Sequence, residues 1–284
     1  MGFFVFCKYV TICYVKYVII GRMFYLISIG NFLYVIIFLL GVSLGSFLNA
    51  WVWRTRENFR ITSGRSMCPA CRRQLCWYEN IPIISFLALK GKCRTCKNPI
   101  PKHFIFVEAV TPLILMLTVW SNLHVFELNP LHFIRDLVFA ILLITIFVYD
   151  YLYQEILSEV VWFGALTGLF FNFYLNYELV SLLLGAIFAG GFFLLQFVIS
   201  RGRWIGGGDV RFGFMMGLWL GWPVVVAGLV ISYVIGAVTS LLAVATKKKR
   251  LSSVTPFGTY LSLGTIICVL WGNEIVRWYM GFLR

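Results

Sequence analysis

Long apolar stretches separated by short polar segments dominate this chain of 284 residues. A transmembrane helix needs about 20 consecutive, mostly apolar residues, and helices satisfy their backbone polar groups internally, as lipid requires. The sequence therefore predicts an all-α polytopic membrane protein with about eight transmembrane helices. Their predicted bounds are 31–53, 104–121, 131–150, 157–175, 179–200, 209–221, 222–246 and 257–273.

One polar segment, residues 54–103, interrupts this pattern after the first predicted helix. It is basic and rich in cysteine, whereas most of the chain that follows is apolar. We therefore expect a small cytoplasmic module between the first and second transmembrane helices. The predicted organisation is a first transmembrane helix at 31–53, the module at 54–103, a membrane bundle at 104–273 and a short C-terminal tail at 274–284.

Residues 1–30 form an N-terminal extension whose role the pattern leaves open. The apolar stretch from Phe3 to Ile20 contains Lys8 and Lys16 and has no small-residue cleavage site. We therefore do not interpret it as a secretory signal peptide. A ninth span and an interfacial helix are both compatible with it, and Met23 is an alternative start.

Composition agrees with a membrane protein. Hydrophobic residues account for 61 % of the chain and charged residues for 12 %, whereas soluble domains average about 25 % charged residues. The net charge of +13 would suit a nucleic-acid partner, but in a membrane protein it more often reports orientation. We expect the lipid bilayer and no nucleic acid as the partner of this surface.

The basic residues are distributed unevenly between the two sides of the predicted bundle. Eighteen of the 24 Lys and Arg residues lie in three loops that eight spans put on one side. The loops on the opposite side carry neither Lys nor Arg. Because basic loops remain in the cytoplasm, we expect those three to be cytoplasmic. They are 54–103, the segment of Arg201, Arg203 and Arg211, and 247–250.

The module contains two pairs of cysteines, Cys68 with Cys71 and Cys93 with Cys96, each in a C-x2-C spacing. Paired spacings of this kind predict a tetrahedral four-cysteine site for a structural Zn²⁺ ion. Metal binding would supply much of the folding free energy of so small a module. Two disulfides and unliganded thiols are the alternatives, and a reducing cytoplasm disfavours the disulfides. Cys76 is an additional thiol nearby.

Two of the three aspartates, Asp150 and Asp209, adjoin apolar segments, where a charge is costly. An ionisable residue in such a position indicates a functional site. Two nearby carboxyl groups share one proton, so one deprotonates a water while the other polarises a scissile carbonyl. Helix capping is the alternative role for both residues. For Asp136, next to Arg135, a polar contact is expected.

A transporter or channel is the rival class of function. Glycine-rich broken helices and intramembrane acids also form ion sites. The predicted topology argues against this interpretation, because it puts both aspartates at one membrane face rather than at the midplane.

Six short segments of the chain form a further pattern. They are Gly45-Ser-Phe-Leu-Asn49 with Arg54, Arg65-Ser-Met-Cys-Pro-Ala-Cys71, Trp77-Tyr-Glu-Asn-Ile-Pro82, Gly91-Lys-Cys-Arg-Thr-Cys96, Gly206-Gly-Gly-Asp-Val-Arg211 and Pro256-Phe-Gly-Thr-Tyr260. Together they resemble the bifunctional type IV prepilin peptidases and N-methyltransferases, over about residues 41–263. The resemblance implies a bacterial inner-membrane aspartic endopeptidase with Asp150 and Asp209 as catalytic residues. It would cut the basic leader of type IV prepilins or pseudopilins next to a glycine, at the cytoplasmic edge of the substrate's helix.

The intact cysteine module, by the same resemblance, implies a second activity, N-methylation of the new N-terminus with S-adenosylmethionine. Polar residues of or near the module, Glu79, Asn80 and Glu108, are the candidates for the methyl-donor pocket, although Glu79 has a competing role as partner of a neighbouring arginine. A peptidase that has lost methyl transfer is the alternative.

The chain departs from the family pattern in two segments. The family usually has Leu or Ile, Pro and Asp shortly after the first catalytic aspartate, and here the residues are Ile156, Leu157 and Ser158. Arg211 replaces the usual Lys and keeps its charge. The loop after Asp150 is therefore expected to have a different shape.

Overall fold

The computed structural model describes residues 32–60, 64–125, 129–246 and 255–282, so the predicted extension at 1–30 lies outside the described part of the chain. Within these ranges the regular elements are helices. Eight of them are long, and a 3-10 helix (Trp77–Asn80) and a short helix, α2, belong to the module. In order, the α-helices are α1 (Phe32–Arg56), α2 (Ile84–Ala88), α3 (Lys102–Val125), α4 (Pro130–Tyr153), α5 (Ser158–Tyr174), α6 (Leu179–Ser200), α7 (Gly207–Leu220), α8 (Val224–Ala245) and α9 (Phe257–Phe282).

The all-α fold class is confirmed, with the cysteine module between the first and second long helices. Each of the eight predicted spans corresponds to one long helix in the described ranges. Six of the eight are long and apolar enough to cross a bilayer. The other two, α5 and α7, have 17 and 14 residues.

Helix α9 extends beyond the predicted span at 257–273 and into the predicted tail at 274–284, because it continues through Phe282. Asn273 and Glu274 interrupt the apolar stretch, and apolar residues resume at Ile275 and Val276. Two polar residues interrupt an apolar pattern without ending a helix, and no proline follows in the sequence to break it.

Helix α7 is too short to cross the hydrocarbon core on its own. Its 14 residues correspond to about 21 Å, against about 30 Å of hydrocarbon. The buried Asn172 of α5 donates from Nδ2 to the carbonyl oxygens of Leu218 and Trp219, at 2.8 and 3.2 Å. These bonds satisfy carbonyl groups at the end of the helix, for which lipid offers no hydrogen-bond donor. Helix α7 therefore ends inside the bundle.

A buried polar network lies at the ends of α4 and α7 away from the two predicted catalytic residues. Arg135 donates from Nε to Oδ1 of Asp136 at 2.8 Å and from Nη1 to Oδ1 of Asn172 at 2.9 Å. Asn122 donates to Oδ2 of Asp136 at 3.0 Å. The polar contact expected for Asp136 is confirmed, and the network ties α3, α4, α5 and α7 together.

Helix α1 packs against α3 through Gly41 and Gly45. A Cβ atom at Gly41 would lie 2.5 Å from the Cα atom of Pro112, and one at Gly45 would lie 2.9 Å from the Cα atom of Glu108. Small residues spaced by four allow helices in lipid to approach this closely. The close contact brings the segments on either side of the module together.

Candidate active site and cysteine cluster

Asp150 lies in the last turn of α4 and is buried. Its Oδ2 atom accepts a hydrogen bond of 2.7 Å from the backbone N–H of Thr259. This donor belongs to the first turn of α9. Asp150 therefore caps a helix other than its own, and the free N–H groups there favour and orient a carboxylate.

Asp209 lies in the first turn of α7 and is also buried. Its Oδ2 atom accepts a hydrogen bond of 3.1 Å from the backbone N–H of Gly206. Its Oδ1 atom is buried, and no hydrogen-bond partner for it exists within the described ranges. A buried polar atom without a partner is costly, and such atoms are typical of catalytic sites.

The chain segments around Asp150 and Asp209 both contact one side chain. Ile156, in the loop after α4, lies between the segments that carry them. A Cβ atom at Gly208 would be 2.9 Å from Cβ of Ile156, and one at Gly258 would be 2.8 Å from its Cδ1. The fold thus joins the C-terminal end of α4 and the N-terminal ends of α7 and α9, and a pair of carboxyl groups there is suited to acid–base catalysis on a peptide bond.

Two of the positions that depart from the family pattern contact each other. Arg211 donates from Nη1 to Oγ of Ser158, and from Nε to the carbonyl oxygen of Gly207 at 3.2 Å. The guanidinium group therefore links the start of α5 to the glycine segment before Asp209. The loop after α4 begins at Gln154, which has a left-handed backbone with a φ of 54°.

Gly258 gives a prediction about cleavage. A Cβ atom there would lie 2.9 Å from Oδ2 and 3.0 Å from Cγ of Asp150, so Gly258→Ala forces the carboxyl group out of position. We expect the cleavage rate to fall at least about tenfold, since misplacing a catalytic group by about 1 Å costs up to a hundredfold. The matched control is Gly191→Ala on α6, where a Cβ atom meets nothing within 4 Å. Equal cleavage rates in the two variants would contradict this placement of Asp150.

The four cysteines of the two C-x2-C pairs converge at one point. Their sulfur atoms all lie within 4.8 Å of one another, and those of Cys68 and Cys96 are 3.9 Å apart. A tetrahedral ion with metal–sulfur bonds of about 2.3 Å requires sulfur separations of about 3.8 Å. The cluster is therefore able to hold a metal ion.

The two pairs have the same local structure. The backbone N–H groups of Cys68 and Cys93 each donate 2.9 Å hydrogen bonds, to the carbonyl oxygens of Arg73 and Asn98. Backbone N–H groups of Cys96 and Thr95 lower the pKa of the Cys93 thiol to about 6, whereas burial and hydrogen bonds with the neighbouring thiols raise the pKa of Cys96 to about 11. Cys93 is therefore the thiol of the cluster that most favours the thiolate, the form that binds metal.

A cavity lies between the module and the adjoining ends of α1 and α3, and the three candidate methyl-donor residues Glu79, Asn80 and Glu108 all line it. Its other polar side chains include Asn49, Arg73 and Arg94. Aromatic side chains complete its walls, namely Trp53, Phe86 and Phe104.

Glu79 is also paired with a neighbouring arginine, which is the alternative role expected for it from the sequence. Its two carboxylate oxygens accept hydrogen bonds of 2.8 and 3.0 Å from Nη2 of Arg73. The N–H of Cys76 adds a bond of 2.8 Å. The hydrogen bond from Arg73 lowers the pKa of Glu79, and so does the one from Cys76, although burial opposes both. Glu79 therefore supports the wall of the cavity, and its charge is paired with that of Arg73.

Two buried atoms in this wall have no hydrogen-bond partner among the described residues, Oδ1 of Asn49 and Nε of Arg73. Asn49 uses its Nδ2 atom to donate to the carbonyl oxygen of Phe104 at 2.9 Å. The motif of residues 45–49 includes Asn49 but does not indicate that its side chain faces the module. The wall of the cavity thus contains one acceptor and one donor without a partner in the described part of the chain.

Two family models match the chain in succession. Residues 39–122 match the bacterial peptidase A24 N-terminal domain, and residues 137–241 match the type IV leader peptidase family. A prepilin leader peptidase/N-methyltransferase of Bacillus subtilis is 32 % identical over 254 residues, covering 86 % of this chain and 97 % of the relative. The chain belongs to the type IV leader peptidase family.

Other relatives carry the same name. The protein from Pseudomonas aeruginosa is 28 % identical over 272 residues, covering 86 % of this chain and 92 % of its own. The protein from Legionella pneumophila is 25 % identical over 284 residues, covering 88 % and 96 %. No solved structure matches the chain. The chain is thus a multi-pass membrane enzyme, and the transporter interpretation is set aside.

Proposed function

We propose that this enzyme removes the leader of type IV prepilins or pseudopilins and then methylates the new N-terminus. The observation that carries the first step is the pair of buried aspartates at the adjoining ends of α4 and α7, in a chain of the leader peptidase family. The relatives' names support the same substrate and both activities.

In peptide cleavage, Asp150 and Asp209 act as a dyad. One carboxyl group deprotonates the attacking water, while the other, protonated, donates to the oxygen of the scissile carbonyl. The hydrogen bond from Thr259 fixes the orientation of Asp150. Oδ1 of Asp209, which has no partner among the described residues, is the atom that we assign to the water or to the carbonyl oxygen.

The dyad and the module face the cytoplasm, and the membrane is the bacterial inner membrane. The distribution of Lys and Arg supports this orientation, because the basic segments adjoin both aspartate-bearing ends of the bundle. A cytoplasmic dyad would meet a prepilin at the cytoplasmic edge of the substrate's own helix. The leader ends at this edge, outside the membrane, where the dyad can reach it.

The ion that we assign to Cys68, Cys71, Cys93 and Cys96 is Zn²⁺. Four thiolates leave a zinc ion no open position, so its role is structural. The separation of the sulfur atoms supports this fit. The ion would join the two C-x2-C segments and hold the wall of the cavity that includes Cys68 and Cys93.

We assign S-adenosylmethionine, which supplies the methyl group, to the cavity between the module, α1 and α3. Its chemical groups match the lining. Glu108 provides negative charge for a sulfonium cation or an amine, and Glu79, paired with Arg73, adds acceptor atoms. Arg94 suits a carboxylate, and the aromatic walls suit an adenine ring. Oε2 of Glu108 accepts a hydrogen bond of 2.7 Å from the N–H of Ile83, which holds the side chain in place.

The two activities are expected to separate in variants of the cavity. Asn80→Ala and Glu79→Gln remove polar groups from its wall without touching the dyad. Methylation should therefore fall about tenfold or more, as expected for Glu79→Gln from the loss of one buried charged contact. Cleavage should fall by less than about twofold. Glu57→Gln is the control, because Glu57 pairs with Arg72 in the same module and does not line the cavity. Fully methylated product from both test variants would mean that the methyl-donor site lies elsewhere.

One experiment tests the proposed function as a whole. Purified enzyme is incubated with a prepilin, with and without S-adenosylmethionine, and the product is weighed by mass spectrometry. We expect loss of the leader in both samples and the mass of an added methyl group only with the methyl donor. A cleaved but unmethylated product would favour the alternative, a peptidase without methyl transfer.

A further inference from the structure

A groove about three helical turns long runs along α1 beside the cavity. The α1 positions that line it recur at spacings of three and four residues, so they form one stripe on the helix. Module residues close the end of the groove nearest the cavity. The α1 positions are Ser43, Ser46, Phe47, Ala50, Trp51 and Arg54, and the module residues include Asn80 and Pro82.

The groove is continuous with the cavity. Five residues line both of them, so the space beside α1 opens into the space where Glu79 and Glu108 lie. The shared residues are Ser46, Ala50, Arg54, Ser66 and Asn80.

The opposite face of the same end of α1 packs next to the candidate dyad. Leu48 and Val52 belong to a buried cluster with Tyr149, the residue before Asp150. A helix with its side chains is about 10–12 Å across. The two candidate sites therefore lie on two sides of one helix, and a product cleaved at the first must pass around α1 to reach the second.

We propose that the groove binds the apolar helix of the cleaved pilin while its new N-terminal amine enters the cavity. The inference rests on the proposed function and names the substrate-binding part of the methyltransferase site. Small side chains at Ser43, Ser46 and Ala50 permit close approach of a helix in lipid, and Phe47, 55 % exposed, offers an apolar contact.

One carboxylate of the cavity is available to an amine. Glu79 and Glu108 line the cavity together with Arg54, Arg73 and Arg94, and Glu79 is paired with Arg73. Glu108 forms no ion pair within the described part of the chain, so its carboxylate is the group that we assign to the amine. A lipid acyl chain in the groove would bring no amine to Glu108, and this favours the pilin as occupant.

The test compares two exposed phenylalanines of α1. Phe47 lines the groove and Phe38 does not, although both are exposed. We expect Phe47→Ala to lower methylation of the cleaved pilin at least about fivefold, as expected for truncating an aromatic contact in an interface, and Phe38→Ala to leave it unchanged. Ser43→Trp, which fills the groove, should act like Phe47→Ala. Leader cleavage and binding of radiolabelled S-adenosylmethionine should remain as in the unmodified enzyme.

Each other outcome has a definite meaning. Normal methylation by both Phe47→Ala and Ser43→Trp overturns the groove as docking site but leaves the cavity assignment intact. Loss of S-adenosylmethionine binding in Phe47→Ala overturns it too, because the residue would then act on the methyl donor. An unmodified enzyme that never methylates refutes the second activity itself.

A photo-crosslinking residue at position 47 should capture the pilin. Capture of only lipid or a second enzyme copy would also overturn the proposal.

Discussion

Replacing Asp150 or Asp209 by Asn should lower leader cleavage by more than about a hundredfold, the contribution of general acid–base catalysis alone. Asparagine keeps the shape of the side chain but cannot take a proton from water. The Asp150 variant should also hold its position, because an amide oxygen still accepts the hydrogen bond from Thr259. The measurement is the initial rate of leader removal from a purified prepilin, with the amount of enzyme in the membrane held equal.

Two controls separate catalysis from folding. Glu159→Gln removes an exposed carboxylate in the first turn of α5 and should cleave normally. Both asparagine variants should still methylate a pilin whose leader has already been removed, because the cavity at the module does not involve either aspartate. Cleavage at the unmodified rate by either variant would refute the dyad.

The helices were predictable from the sequence because lipid imposes one strong constraint. Each apolar stretch must form a helix to satisfy its own backbone, so the predicted spans and the observed helices agree closely. The predicted and observed ends differ most at α9. Asn273 and Glu274 interrupt its apolar stretch, but apolar residues resume at Ile275 and Val276, and the helix continues to Phe282.

The candidate site was predictable in its residue types but not in its supporting contacts. Asp150 and Asp209 stand out because charge is costly beside apolar segments. The donor to Asp150 is the backbone N–H of Thr259, 109 positions away in the chain, and a backbone atom leaves no signal in residue type. Asn49 and Glu108 are on different helices, and the periodicity of one helix does not specify its neighbour.

Removing the metal should have the largest effect on the module. Structural zinc contributes about 10–16 kcal/mol to the folding of zinc-finger peptides at pH 7, which exceeds the stability of so small a segment. We therefore expect Cys93→Ser, or a strong chelator, to release the metal and reduce methylation to background. Metal analysis should find one zinc per unmodified chain.

A matched cysteine distinguishes the metal site from general thiol chemistry. Cys76 is exposed and lies outside the four-cysteine cluster, so Cys76→Ser should keep both zinc and methylation. Cleavage should decline far less than methylation when the cluster is lost, because Asp150 and Asp209 are held by contacts with α9 and by Gly206, all outside the module. Enzyme isolated without chelators that contained no zinc, or a Cys93→Ser variant that retained it, would contradict the assignment. Equal loss of both activities would instead mean that the module also positions the dyad, through Leu48, Val52 and Tyr149.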